Sequence, residues 1–61
     1  MINQPTEKDI GRRVVYTPLR GPKERGVITS FNSMFVFVRY GDETISKATD
    51  RIDLTWEREK A

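Results

Sequence analysis

The chain has 61 residues, 36% of them hydrophobic and 33% charged, which leaves room for one domain with a single small core. It contains no cysteine and no histidine, so disulfide bridges and the usual ligands of zinc, haem and iron–sulfur sites are excluded. The net charge is only +2, the apolar runs are too short to span a bilayer, and residues 1–5 lack the layout of a signal peptide. We therefore expect one cytoplasmic domain over residues 1–61, ordered over about residues 10–56, with no cofactor, metal or membrane contact.

The first third of the chain predicts a lead-in turn, a strand and a loop. Thr6 with Asp9 three positions later is a capping pattern, with room for one helical turn before Gly11. Residues 13–17 are rich in β-branched and aromatic side chains, which is typical of a strand. Residues 18–23 hold two prolines around a glycine and predict a surface loop.

The rest of the chain predicts four more strands. A second strand at residues 26–31 and a third at 34–40 are separated by Asn32 and Ser33, which predicts an antiparallel hairpin. A fourth strand at 44–48, a helical turn at 49–53 and a last strand at 54–56 follow, and the tail at 57–61 is expected to fray. We expect Gly26 to supply a bulge and Gly41 a turn, each where a side chain would clash. Five short strands at close spacing predict an all-β, curled antiparallel barrel, with Trp56 plugging its core beside Leu54 and Tyr16.

This order of elements resembles the small SH3-like barrels of the KOW and Tudor kind. The matching motifs are Gly11-x-x-Val14-x-Tyr16, Gly26-Val27-Ile28, Val36-x-Val38-Arg39-Tyr40-Gly41 and Asp53-Leu54. The chain also resembles short uncharacterised proteins of bacteriophages and prophages, through residues 8–12 and 26–32. The first resemblance implies a five-stranded SH3-like barrel, and the second implies an accessory role in a host cytoplasm. The predicted loops offer no aromatic cluster, so we do not expect methyl-lysine reading.

The third strand predicts which face of the sheet is buried. Successive side chains of a strand point to opposite faces, and here both sets are largely apolar. Burying an unpaired arginine costs more free energy than exposing a phenylalanine, so we assign the face with the arginine to the outside. The expected interior residues are Met34, Val36, Val38 and Tyr40, and the expected outer residues are Phe35, Phe37 and Arg39.

The outer residues of the third strand are the first candidate binding site. Aromatic and arginine side chains dominate the energetics of protein interfaces, so this trio predicts contact with a host protein, a phage protein or a second copy of the chain. Two alternatives stay open. The rings could be covered by Ile2 and Ile10 or by the segment around Trp56, and a bulge near Phe35 would exchange the two faces.

A basic stretch is the second candidate site. Residues 12–25 carry five basic side chains against one acidic side chain, a local charge of +4. The basic residues are Arg12, Arg13, Arg20, Lys23 and Arg25. Such a stretch predicts contacts with the phosphate backbone of DNA or RNA, while a solvated surface that keeps the protein soluble is the alternative.

Catalysis is not expected. Without His or Cys, the remaining candidates are a hydroxyl activated by lysine or a carboxylate pair, Asp42 with Glu43 or Asp50 with Asp53. These carboxylates fall in predicted turns, where they commonly cap the backbone. The sequence therefore predicts a binding module and no catalytic residues.

Overall fold

The computed structural model describes residues 1–57, which form five antiparallel strands curled into a half-barrel. The strands are β1 (Arg13–Tyr16), β2 (Glu24–Phe31), β3 (Val36–Tyr40), β4 (Lys47–Thr49) and β5 (Leu54–Trp56). They follow the order β4-β3-β2-β1-β5, which brings the last strand beside the first. The architecture confirms the all-β prediction and is consistent with a small SH3-like barrel.

Two short 3-10 helices, Glu7–Asp9 and Arg51–Asp53, complete the regular structure of residues 1–57. The first is the predicted lead-in turn, where the backbone N–H of Thr6 donates to Asp9 Oδ2 at 2.9 Å. In the second, Asp50 Oδ1 accepts from the backbone N–H of Ile52 at 3.1 Å. In both turns an aspartate side chain therefore satisfies a free backbone N–H at the start of the helix.

Gly26 lies at the centre of the sheet, between Val14 of β1 and Tyr40 of β3. A β-carbon at this position would overlap the side chain of Val38 and lie 2.9 Å from the carbonyl oxygen of Arg39. The predicted clash is confirmed, but the bulge predicted at Gly26 is wrong, because its pairing is regular on both sides. Gly41 has a φ of 53°, which fits the predicted turn after β3, but the clash predicted there is wrong, because a β-carbon would meet no atom within 4 Å.

The bulge lies at Thr29, where the pairing of β2 with β3 shifts between Ile28 and Ser30. The Thr29 hydroxyl donates to the carbonyl oxygen of Phe37 at 3.2 Å and is also hydrogen-bonded to the hydroxyl of Ser46. These bonds hold the extra residue and let β2 bend, which is how a sheet this small curls. Phe31 and Val36 then pair beyond the bulge.

The core lies on the inner side of the curled sheet. Its buried hydrophobic residues are Ile2, Val14, Ile28, Val36, Val38, Tyr40 and Leu54, with Tyr16 and Trp56 packed against them. Ile2 reaches the core because its backbone N–H donates to the carbonyl oxygen of Arg51 at 3.2 Å, which fixes the N-terminal segment against the second 3-10 helix. The prediction that Trp56 packs beside Leu54 and Tyr16 is confirmed in part, since its ring is only half-buried.

Several predicted boundaries shift. β2 begins at Glu24, two residues before its predicted start, and β3 begins at Val36, two residues after its predicted start at Met34. β4 covers Lys47–Thr49 and not the predicted residues 44–48. The predicted tail falls mostly on residues 58–61, which lie outside the described residues. Within residues 1–57 there is no helix long and apolar enough to cross a membrane.

Candidate functional site

The alternation of β3 separates core from surface as its sequence predicts. Val36, Val38 and Tyr40 are buried, whereas Phe37 is half-buried and Arg39 is exposed. The second set lies on the side of the sheet away from the core, which we call the outer face. Ile2 belongs to the core on the opposite side, and Ile10 is exposed.

Met34 and Phe35 precede β3 and do not follow its alternation. The side chain of Asn32 accepts hydrogen bonds from the backbone N–H groups of Met34 (2.8 Å) and Phe35 (2.7 Å). This Asn-centred turn sets the direction of both residues. Met34 is 73% exposed, so its assignment to the interior is wrong, and Phe35 is exposed at the tip of the β2–β3 hairpin.

Three arginines from three neighbouring strands meet on the outer face. Arg13 of β1 and Arg39 of β3 are both direct cross-strand partners of Val27, and Arg25 lies two residues before Val27 on β2. Cross-strand partners share a face, so the side chains of Arg13, Arg25 and Arg39 lie on the same face as the half-buried Val27. We call Arg13, Arg25 and Arg39 the arginine cluster. They border a shallow cavity of about 230 Å³, together with Gly26, Val27, Gly41 and Glu57.

Glu57 contributes a carboxylate to the same cavity. Its backbone N–H donates to the carbonyl oxygen of Arg13 at 3.1 Å, which continues the pairing of β5 with β1 by one residue. The side chain then lies on the outer face, with Oε1 at 3.1 Å from Arg25 Nε and Oε2 at 4.0 Å from Arg13 Nη1. Sequence reasoning missed this residue because it assigned Glu57 to the tail, although pairing the last strand with the first would have placed it opposite Arg13.

Arg12 is separated from the arginine cluster and caps the core. Its guanidinium carbon lies 3.9 Å from the centre of the Trp56 ring, a cation–π contact, and its Nη1 donates to Asp9 Oδ1 at 3.0 Å. The hydrogen bond from Thr6, followed by that from Arg12, lowers the pKa of Asp9 below its ordinary value of 3.8. Arg12 is thus held between a carboxylate and an aromatic ring.

The remaining basic residues of the 12–25 stretch lie in or beside the β1–β2 loop. Arg20 is exposed within that loop, and Lys23 precedes β2. Lys23 borders a second open cavity of about 490 Å³, which is also lined by Glu24, Arg25, Asp42 and Glu43. Of the five basic residues in the 12–25 stretch, only Arg13 and Arg25 therefore lie on the same face as Arg39. The outer face thus combines residues from the predicted nucleic-acid site with residues from the predicted protein-binding site.

Two tyrosines border a third cavity, of about 340 Å³, at one end of the half-barrel. The rings of Tyr16 and Tyr40 have centres 5.9 Å apart and are tilted by 57°, with Glu24, Asp50 and Asp53 nearby. Burial raises the pKa of Tyr40 above its ordinary value of 10.0, and the Thr49 hydroxyl at 2.8 Å opposes the rise. Tyr40 is only 6% exposed, so its ring belongs to the core more than to the cavity.

Two of the four carboxylates considered for catalysis, those of Glu43 and Asp50, make structural contacts. Glu43 accepts from Lys47 Nζ at 3.2 Å, and Asp50 caps the second 3-10 helix. The backbone carbonyl of Asp53 accepts from the N–H of Thr17 at 2.9 Å.

The outer face is the best-defined candidate site in residues 1–57. It presents three guanidinium groups, one carboxylate and the half-buried apolar side chains of Val15, Val27 and Phe37. Three positive charges and one negative charge leave this face at +2, the full net charge of the chain. A comparison with protein-family models, curated proteins and solved structures finds no match to this chain.

Proposed function

We propose that the protein is a non-catalytic binding module whose outer face docks on an acidic segment of a partner protein. The observation that carries the proposal is the arginine cluster around Val27, in which three strands each contribute one guanidinium. An apolar centre with a charged border is the usual composition of a protein contact surface. The resemblance to phage-borne proteins favours a host or phage protein as the partner.

The outer face combines apolar and charged contacts on a rigid support. The backbone of Phe37 is paired with β2 and β4, and that of Arg39 with β2, so both are held in the sheet before a partner arrives. Arginine and aromatic side chains are enriched among the residues that dominate binding, and the planar guanidinium presents its donors in a fixed arrangement.

The five basic residues of the 12–25 stretch lie in different places in the fold, which favours a protein partner over a nucleic acid. Binding along a phosphate backbone needs basic side chains spread over one continuous surface. Arg12 is held by Asp9 and Trp56, Arg20 lies in the loop, and Lys23 faces acidic neighbours. Only Arg13 and Arg25 of the five lie on the outer face.

The test is a titration of the isotopically labelled protein with a peptide of alternating glutamate and alanine, followed by NMR. We expect shift changes at Val27, Phe37 and Arg39, and weaker binding as salt is raised, because the contacts are between exposed charges. Arg39→Gln should weaken the affinity by about fivefold, the scale of one exposed charge pair. Phe37→Ser should weaken it while the spectrum keeps the dispersion of a folded protein.

The matched control is Arg20→Gln, which removes the same charge from the β1–β2 loop. An equal loss of affinity in Arg20→Gln and Arg39→Gln would show that binding depends on the overall charge of the protein and not on the outer face, which would contradict the proposal. Shift changes concentrated at residues 17–23 would contradict it as well.

A further inference from the structure

Glu57 occupies the arginine cluster in the way a ligand would. Its side chain is only 18% exposed, whereas those of Arg25 and Arg13 are 84% and 76% exposed. The carboxylate therefore lies against the two arginines while their other surfaces remain open to solvent. Its backbone hydrogen bond to Arg13 holds it at this place on the face.

We infer that the arginine cluster is a receptor for side-chain carboxylates, and that Glu57 is an internal occupant which an acidic side chain of the partner displaces. The inference rests on the proposed function and adds the ligand chemistry and a built-in competitor. A guanidinium offers a planar set of donors that matches the two oxygens of a carboxylate, so whichever group binds in place of Glu57 should have the same shape.

Arg39 gives the partner a point of first contact. Among residues 1–57 the acidic side chains that form ion pairs are Asp9, Glu43 and Glu57, and none of them pairs with Arg39. Arg39 lies across Val27 from Arg13, about two strand spacings or roughly 10 Å away along the sheet. A ligand with two carboxylates can therefore bind Arg39 with one and replace Glu57 with the other, while an apolar side chain between them covers Val27.

Displacement of Glu57 has a small energetic cost, because the two arginines that it pairs with are exposed and solvent screens the attraction. Removing the competitor should strengthen binding of an external carboxylate by about two- to fivefold, the affinity equivalent of one such pair. The gain should be largest at low salt, where the internal pair is least screened.

The experiment compares Glu57→Gln with the matched control Glu43→Gln. Both variants remove one negative charge and keep the size of the side chain, but Glu43 pairs with Lys47, outside the arginine cluster. The probe is the fluorescently labelled glutamate–alanine peptide, measured beside a glutamine–alanine peptide and a single-stranded oligonucleotide of equal length. We expect Glu57→Gln to bind the glutamate peptide two- to fivefold more tightly than the wild type, and Glu43→Gln to bind it as the wild type does.

The outcomes separate this inference from the proposed function. Equal affinity gains in Glu57→Gln and Glu43→Gln would overturn the internal competitor and leave the proposed function standing, provided Arg39→Gln still weakens binding. A gain in Glu57→Gln for the oligonucleotide but not for the glutamate peptide would overturn the carboxylate assignment in favour of phosphate. Absence of peptide binding by both the wild type and Glu57→Gln would overturn the proposed function itself.

Discussion

At the scale of single residues, Tyr40 joins the core to the polar end of the half-barrel. Its ring is almost fully buried, and its hydroxyl is hydrogen-bonded to Thr49, a polar residue that is itself buried. A buried hydroxyl needs such a partner, because leaving it unpaired costs more free energy than the bond contributes. The hydrogen bond to Thr49 thus allows the large ring of Tyr40 to be buried in a core that contains few other residues.

Replacing Tyr40 by Phe tests this arrangement through the pH dependence of stability. The lost hydrogen bond should lower the free energy of unfolding by about 0.5–1.5 kcal/mol at neutral pH. Because burial raises the pKa of Tyr40, the unfolded chain releases this proton first when the pH exceeds 10.0, so wild-type stability falls there. The Phe variant lacks this loss, and the difference between the two proteins should narrow above pH 10.0.

Urea unfolding between pH 7 and 11 measures that difference, with Thr49→Val as the control. Thr49→Val loses the same hydrogen bond but keeps the ionisable ring, so it should keep the alkaline decline. Parallel stability curves for the wild type and Tyr40→Phe above pH 10.0 would contradict the prediction.

At the scale of elements, the N-terminal segment contributes to the core without being a strand. Ile2 is 2% exposed and Ile10 is 47% exposed, although both lie in the lead-in before β1. Ile2→Ala should lower the free energy of unfolding by about 2 kcal/mol or more, since it leaves a cavity in a small core. Ile10→Ala, the same truncation at the surface, should change it by about 0.5 kcal/mol or less.

The unfolding midpoints of Ile2→Ala and Ile10→Ala in urea test whether the N-terminal segment stabilises the core. If Ile2→Ala does not fold, the milder Ile2→Val should still cost about 0.5–1.5 kcal/mol. Equal midpoints for Ile2→Ala and Ile10→Ala would show that the N-terminal segment is dispensable for the core.

The strands were predictable from sequence to the extent that local pattern decides them. The faces of β3 could be assigned from Val36, Val38 and Arg39, because the alternation of side chains along a strand is a local property. The last strand, Leu54–Trp56, was predicted with its observed bounds. The bulge at Thr29 was not predictable, since it depends on the pairing of β2 with β3 and on a hydroxyl from Ser46. The same holds for the bond between Ile2 and Arg51, which joins residues far apart in the chain.

The candidate site was predicted in two separate parts. Arg39 and Phe37 belonged to one hypothesis, and Arg13 and Arg25 to another. Their meeting on one face follows from the register of three strands, and a one-residue slip in that register would separate them. Single-strand patterns cannot fix register, which is why the cluster appears only in the folded chain.

At the scale of the whole molecule, the closing pair of β1 with β5 should make unfolding a single transition. Trp56, the only tryptophan, pairs with Val14 at this junction and lies under Arg12. Its fluorescence should therefore follow the same urea transition as far-ultraviolet circular dichroism, with a slope of about 1 kcal/mol per molar urea for a chain this small. A fluorescence transition at lower urea would mean that β5 detaches first and contradict a single cooperative unit.

The alternation along β3 also bears on how the protein can evolve. Val36, Val38 and Tyr40 support the fold, while Phe37 and Arg39, between them in the chain, contribute little to the core. Selection for a different partner can therefore act on every second residue of the strand without passing through unfolded intermediates. Relatives that diverged in this way would keep the inner residues and differ in the outer ones, with the pattern of variation itself repeating every two positions.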